Sequence, residues 1–307
     1  MPPLLICQSA PKRTPRCHSA AKRRNLLLVL ALVVAANTIV AQSPLPIAPT
    51  RHSPDDLELT GLIATPGFIS YATLSTLPQI TTPVRNDSNF AGQSIRVTGI
   101  PLEALAKALG AAPNSDLIDA LCTDRYRAHY PAAYIARHHP ILALKIDGER
   151  IEAWAARTHS YDPGPYFITH AHFVPGPKIL AHDEEPQIPD NITRLNFTTA
   201  AATFGPLTPH GGSYAPDSPE LQGFAIAKQN CLRCHSLGPV GGTKSGRDWL
   251  SLSTWAREQP AYFARYVHDP TAVETHAHMP PNPTYDAATL AALTAYFRTF
   301  TEETKPK

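Results

Sequence analysis

The chain has 307 residues, of which 43% are hydrophobic and 17% charged; this is the composition of a globular protein long enough for two domains, and it excludes a membrane bundle or a disordered chain. The formal charge of +2 owes its sign to residues 1–41, which hold six of the 27 basic residues and none of the 25 acids; without them the balance is −4, and no nucleic-acid footprint remains. The 32 prolines exclude a long helical bundle over most of the chain.

Lys22 to Gln42 reads as a basic cluster, an apolar run from Leu26 to Ala36 and then small residues, the order of a secretory leader cleaved after Ala41. The uninterrupted run is shorter than a hydrocarbon core requires, so membrane attachment is expected only if the leader is retained. Export by this route places the mature protein in the periplasm. It also removes Cys7 and Cys17, leaving Cys122, Cys231 and Cys234, too few for a disulfide scaffold.

Residues 42–56 form a Pro-rich lead-in. Alternation predicts strands at Leu57 to Thr60 and Ser94 to Thr98, and LEALAKALG at Leu102 to Gly110 is a short helix closed by glycine. Leu117 to Cys122 is a further strand. Ile141 to Ile146 turns at Asp147-Gly148, a hairpin signal, and Ile192 to Phe197 closes the region as a last strand. Residues 57–207 are therefore expected to be an α+β domain. Residues 208–218 are rich in Gly, Pro, Ser and Asp without apolar periodicity and read as a linker. From 219 to 307 the pattern is helical: Ser218 caps a helix with Pro219 at its first position and Leu221, Phe224 and Ala225 on its apolar face. Asp286 caps a last helix with Leu290, Leu293, Phe297 and Phe300 at helical spacing.

Cys231-Leu-Arg-Cys234-His235 is the C-x-x-C-H motif of covalent haem attachment. Thiols three residues apart lie on one side of a helical turn and can each form a thioether to one haem vinyl. The next residue, His235, is then held under the iron. A redox Cys pair or half of a zinc site are the alternatives; the first wants a strand before the motif, where a helical pattern stands instead, and the second needs further ligands. Apart from the initiator, Met279 is the only methionine, set before a rigid Pro280-Pro281-Asn282-Pro283 loop, and a thioether is a good sixth ligand for haem iron. His276 and His278 are its rivals. Arg247 and Trp249 are candidates to contact haem propionates.

From Pro219 to about Phe300 the chain resembles class I cytochromes c: a leading helix ending in the CLRCH box, Gly238-Pro239 after it, a middle helix around PAYFARYVHDP, the Met-Pro loop and a closing helix with Tyr296. The resemblance implies an all-α domain whose first and last helices cross, with Phe224 against Leu293 or Tyr296. In many members a proline about ten residues past the haem histidine supplies the carbonyl for its second nitrogen; Pro239 is only four past.

Leu57 to Phe197 resembles the molybdopterin-binding domain of the sulfite-oxidase type, through Val97 to Gly110, Ala120 to Pro131, Leu142 to Glu149 and Gly164 to Leu180. That family has a mixed β fold and binds molybdenum through a cysteine placed before the GIPL-like segment. The corresponding stretch, Ile80 to Gly92, has no cysteine, and Cys122 reads as a buried small side chain, which argues against molybdopterin. His170 and His172 alternate, so on a strand they would face one side and could chelate a metal. Arg125 to Tyr130 is a polar-aromatic patch for an anion or a partner, and Glu184-Glu185 reads as solvated surface.

These readings converge on a periplasmic one-electron carrier with one covalent haem c, exchanging electrons with a redox partner protein. No substrate of its own is evident. The alternative is a sulfite-dehydrogenase-like molybdohaem oxidoreductase.

Overall fold

A computed structural model describes residues 45–301 apart from 86 and 91. The leader expected at 1–41 lies outside the described residues. In chain order the strands are β1 (Ile47–Ala48), β2 (Leu57–Gly61), β3 (Gly67–Ile69), β4 (Ile80–Arg85), β5 (Ser94–Pro101), β6 (Leu117–Cys122), β7 (Arg127–Pro131), β8 (Ile141–Ile146), β9 (Glu149–Arg150), β10 (Phe167–Thr169), β11 (Ile192–Thr198), β12 (Ser236–Leu237) and β13 (Val240–Gly241). The helices are α1 (Tyr71–Leu74), α2 (Leu102–Ala108), α3 (Ala132–His138), α4 (Ile151–Thr158), α5 (Ala200–Phe204), α6 (Pro219–Gln229), α7 (Trp249–Glu258), α8 (Pro260–His268), α9 (Pro270–Val273) and α10 (Ala287–Phe297).

The chain is thus mixed α and β, compatible with the α+β class expected. One sheet runs β1-β3-β2-β11-β6-β7, in which only β2 and β11 are parallel; the other runs β10-β8-β5-β4, with β9 paired to β8. β8 explains why ILALKI reads as a nearly continuous apolar run: Leu142 and Leu144 enter the core shared with β2, β11 and α2, while Ala143 and Ile146 enter a second core under α4 with Trp154 and Phe167. At its end Asp147 and Gly148 both have positive φ, +50° and +86°, the paired left-handed geometry of a two-residue hairpin turn.

In the helical part, Ser218 Oγ accepts from Leu221 N and Asp286 Oδ1 from Thr289 N, as the capping residues predict. Asp248 caps α7 in the same way. α6 crosses α10 closely because Gly223 has no side chain: a Cβ there would lie 2.2 Å from the Ala292 carbonyl oxygen. Phe224 packs on Tyr296 with ring centroids 5.7 Å apart, the contact expected of crossed first and last helices. Trp249 is wholly buried against Phe297, Tyr296 and Phe300, so it serves as a core residue. Residues 208–218 have no regular structure. The start of that stretch is nonetheless fastened, since Tyr296 Oη donates to the Leu207 carbonyl just before it at 2.6 Å and the His210 ring within it packs on Phe300. Among the described residues no helix is long and apolar enough to cross a membrane.

Candidate functional site

The cysteine-histidine box follows α6 without a break. At Asn230 the helix tightens into a 3-10 turn over Cys231–Arg233, where the N–H groups of Cys234 and His235 donate to the Cys231 carbonyl at 3.2 and 3.0 Å. No disulfide joins the two cysteines. Burial pushes the Cys231 thiol up to about 12 and raises Cys234 as well, the opposite of the activated thiolate a redox pair requires.

His235 is buried, and its Nδ1 lies 2.6 Å from the Arg247 carbonyl oxygen. A carbonyl only accepts, so Nδ1 carries the proton and Nε2 keeps its lone pair. Burial lowers the His235 pKa and so favours this neutral form, although the Arg247 hydrogen bond pulls the other way. The acceptor is the backbone carbonyl of Arg247, twelve residues past the histidine, while the Arg247 guanidinium, the candidate for haem propionates, stacks over Trp255. Pro239 does not reach His235. Its carbonyl accepts from Arg127 Nη1 at 3.1 Å instead.

The hairpin β12-β13 backs the box. Gly242 N donates to the Leu232 carbonyl at 2.8 Å, and a Cβ on Gly242 would sit 1.9 Å from the Arg233 carbonyl oxygen, so only glycine fits this approach. Met279 is half-buried and packs against the helical core, as does Cys231, whereas His276 and His278 are both exposed. Two thiols and an imidazole lone pair from one turn, with a thioether sulfur on a loop packed to the same core, make the donor set a covalently attached haem requires. A zinc reading lacks ligands: among the described residues no three His, Cys, Asp or Glu side chains come together to hold a metal.

The box also faces the α+β part. Arg233, inside the motif, is buried, and its guanidinium meets Glu185 at 3.0 Å, the Gln229 carbonyl at 2.8 Å and, with the Gln187 amide turned to face it, that oxygen at 2.8 Å. Burial disfavours its charge, yet Tyr126 and Glu185 outweigh this and its pKa is raised. Lys244 pairs with Asp124 at 2.6 Å and Thr243 N donates to the Arg125 carbonyl at 3.0 Å. The polar-aromatic loop around Arg125 to Tyr130, expected to meet an anion or a partner, is therefore covered by the chain's own cysteine-histidine box. A cavity of about 460 Å³ remains at this seam, lined by Asn89, Asp124, Tyr126, Glu185, Arg233 and Lys244 among others.

Other expectations are corrected by burial. Glu184 is not solvated surface: its Oε2 accepts from Gly176 N at 2.7 Å and meets His138 Nε2 at 3.2 Å, so the doublet Glu184-Glu185 clasps two parts of the fold. His170 and His172 do not share a strand face, because β10 ends at Thr169; His170 is buried against Tyr134 and His172 is exposed. Cys122 is 3% exposed in the core between β11 and β7, and burial raises its pKa. It does not fit a molybdenum thiolate. The stretch 80–92, where the family places that thiolate, has no cysteine, and its described residues include β4 and a 3-10 turn at Ser88–Phe90.

Neither a family model nor a curated protein matches the chain. Among solved structures it is similar to the crystal structure of the sulfane dehydrogenase SoxCD from Paracoccus pantotrophus, at 15% identity and a TM-score of 0.35, over 49% of this chain and 40% of that one. The chain therefore spans less than half the length of that structure.

Proposed function

We propose that this chain is an exported c-type cytochrome of the periplasm that carries single electrons through one haem c, bound covalently by Cys231 and Cys234. The observation that carries this reading is the box geometry: two thiols on one turn beside a buried imidazole whose Nδ1 is committed to the Arg247 carbonyl at 2.6 Å. A haem held here supplies reversible one-electron redox chemistry. The residues around it have positional work to do. Cys231 and Cys234 would tether it and His235 would offer Nε2 to the iron, while the Arg247 carbonyl keeps that tautomer and raises the basicity of the imidazole. Met279 would be the sixth ligand, favoured over His276 and His278 by its packing against the same core as Cys231.

The crossing of α6 and α10 through Gly223, Phe224 and Tyr296 supports a class I cytochrome c domain from 219 onward. The α+β part is read as a sulfite-oxidase-type domain retained without molybdopterin, since neither 80–92 nor Cys122 supplies a metal thiolate. It braces the haem box, and electrons pass to and from a redox partner protein.

The test is expression with the leader intact in a bacterial host competent for haem attachment and molybdenum-cofactor synthesis. Haem is expected to stay with the denatured polypeptide, at one equivalent, and to be lost from it when Cys231 and Cys234 are both replaced by Ser. A chain without covalent haem overturns the reading, and molybdenum near one equivalent per haem would favour the molybdohaem oxidoreductase instead.

A further inference from the structure

The α+β part reaches across to the loop that carries Met279. A strap at Ile179 to His182 turns tightly, with Leu180 at φ +55° and the backbone of Ile179 and His182 paired in both directions at 3.1 and 3.0 Å. Ile179 and Leu180 pack against the helical core, and Ala181 N donates to Thr289 Oγ1 at 3.0 Å in the first turn of α10. His182, 2% exposed, projects between two helical-part side chains: Nε2 lies 3.3 Å from Gln229 Oε1 and Nδ1 2.8 Å from Tyr285 Oη. The Gln229 amide oxygen can only accept, so Nε2 carries the proton and Nδ1 accepts from the tyrosine.

Tyr285 Oη in turn accepts from Asn230 Nδ2 at 3.0 Å, and the same amide donates to Asn282 Oδ1 at 3.0 Å. Gln229 and Asn230 are consecutive and immediately precede Cys231, so the bonds close into a ring. Between Met279 and α10, the residues 280, 281, 283, 284 and 286 are exposed; only Asn282 and Tyr285 turn inward, Tyr285 as a member of this ring and Asn282 bonded to its Asn230 amide. Asn282 is also tied to α8, its Nδ2 donating to the Val267 carbonyl at 2.8 Å and its N–H to the His268 carbonyl at 2.9 Å. The link from the loop to the haem box runs from Asn282 and Tyr285 to Asn230, and Tyr285 is oriented by a histidine from the other part of the chain.

Resting on the haem reading above, we propose that His182 is a positioning residue for the iron's sixth-ligand loop, through Tyr285, so that the α+β part tunes the haem it braces. Removing the imidazole frees the Tyr285 hydroxyl to rotate and loosens the segment three to six residues beyond Met279. Asn at 182 presents its Oδ1 where Nδ1 accepts, and so preserves the bond to Tyr285.

The experiment compares the haem-loaded parent with His182→Ala, His182→Asn and Tyr285→Phe, each at matched haem content. The readouts are the reduction potential and the weak sulfur-to-iron charge-transfer band at the red end of the visible spectrum. His182→Ala and Tyr285→Phe are expected to lose band intensity and to lower the potential, while His182→Asn keeps both at parental values; a residue that merely fills space would move none of these. If His182→Ala does not accumulate, Tyr285→Phe carries the comparison, since it keeps the ring and deletes only the hydroxyl. A loaded parent whose potential and band survive His182→Ala, or failing that Tyr285→Phe, overturns this inference alone. A parent with no covalent haem overturns the functional reading itself.

Discussion

Gly223→Ala puts the crossing of α6 and α10 to a quantitative test. The added Cβ would stand 2.2 Å from the Ala292 carbonyl oxygen and 2.7 Å from both the Ala292 carbonyl carbon and Tyr296 Cβ. Two of these are backbone atoms and cannot rotate away, so the helices must part by about 1 Å to reach ordinary contact. A radial gap of about that size forfeits roughly a quarter to a half of each dispersion contact along the seam. Overpacking of this kind costs about 1–3 kcal/mol, and the absence of a yielding side chain places it toward the upper end. Against this, alanine favours a helix interior over glycine by about 1 kcal/mol. The net expectation is a loss of about 2 kcal/mol, or roughly 4–8 °C in melting temperature for a chain of this size. Thermal unfolding followed by far-ultraviolet circular dichroism at matched haem content measures it. Gly212→Ala is the control: its Cβ would meet only the Tyr214 ring, at 3.7 Å or more, and its backbone lies outside the left-handed region, so it should melt at about the parental temperature. Equal melting of Gly223→Ala and the parent would refute the close crossing and the argument built on it.

Replacing Met279 by Ala should abolish the sulfur-to-iron band while the haem stays attached; an unchanged spectrum would assign the sixth position to His276 or His278. Arg233→Ala leaves the Gln229 carbonyl and the Gln187 amide without their buried donor, while the half-exposed Glu185 rehydrates, so a loss of about 2–3 kcal/mol is expected in urea unfolding. The His170 imidazole is pushed down to about 3, chiefly by burial, from an ordinary value of 6.5. It therefore stays neutral in the fold while the unfolded chain takes up a proton, and stability is lost as pH falls from about 6.5 toward 3. His170→Gln should flatten that loss by up to about 1.4 kcal/mol per pH unit, read from urea midpoints across the window. Finally, with Cys231 and Cys234 in thioethers and Cys122 buried, the mature loaded protein should show no reactive thiol when native and a single one when unfolded; two or three on unfolding would mean that attachment had failed.

Much of the local structure was legible in the chain because it depends on near neighbours. β6 and β8 run where Leu117 to Cys122 and Ile141 to Ile146 predict them, the Asp147-Gly148 turn has the expected left-handed pair, and Ser218 and Asp286 cap the helices they precede. The segments that escaped were those whose pattern is set by packing partners. β4 exposes most of its side chains at a sheet edge, α3 mixes Tyr134 and His138 into a buried face, and β7 buries His129 beside Asp119. Burial of polar residues was the commonest surprise: Glu184, His170, His182 and Arg233 are all charged or titratable side chains that composition places on the surface, and each is held by a partner between eight and 103 residues away or four residues back along its own turn.

The amino-acid sequence by itself carried the proposal of a haem box and of Met279 as its distal thioether, because that reading needs only a five-residue spacing and a methionine that, apart from the initiator, has no rival in the chain. Which carbonyl steadies His235, which side chains bond to the segment after Met279, and what covers the box were decided by tertiary structure alone. Those interactions join Arg247 to His235, His182 to Tyr285 and Arg233 to Glu185 across separations of 12, 103 and 48 residues. Hydrogen bonds are satisfied wherever folding brings donor and acceptor together, and a backbone carbonyl leaves no mark on residue identity at all.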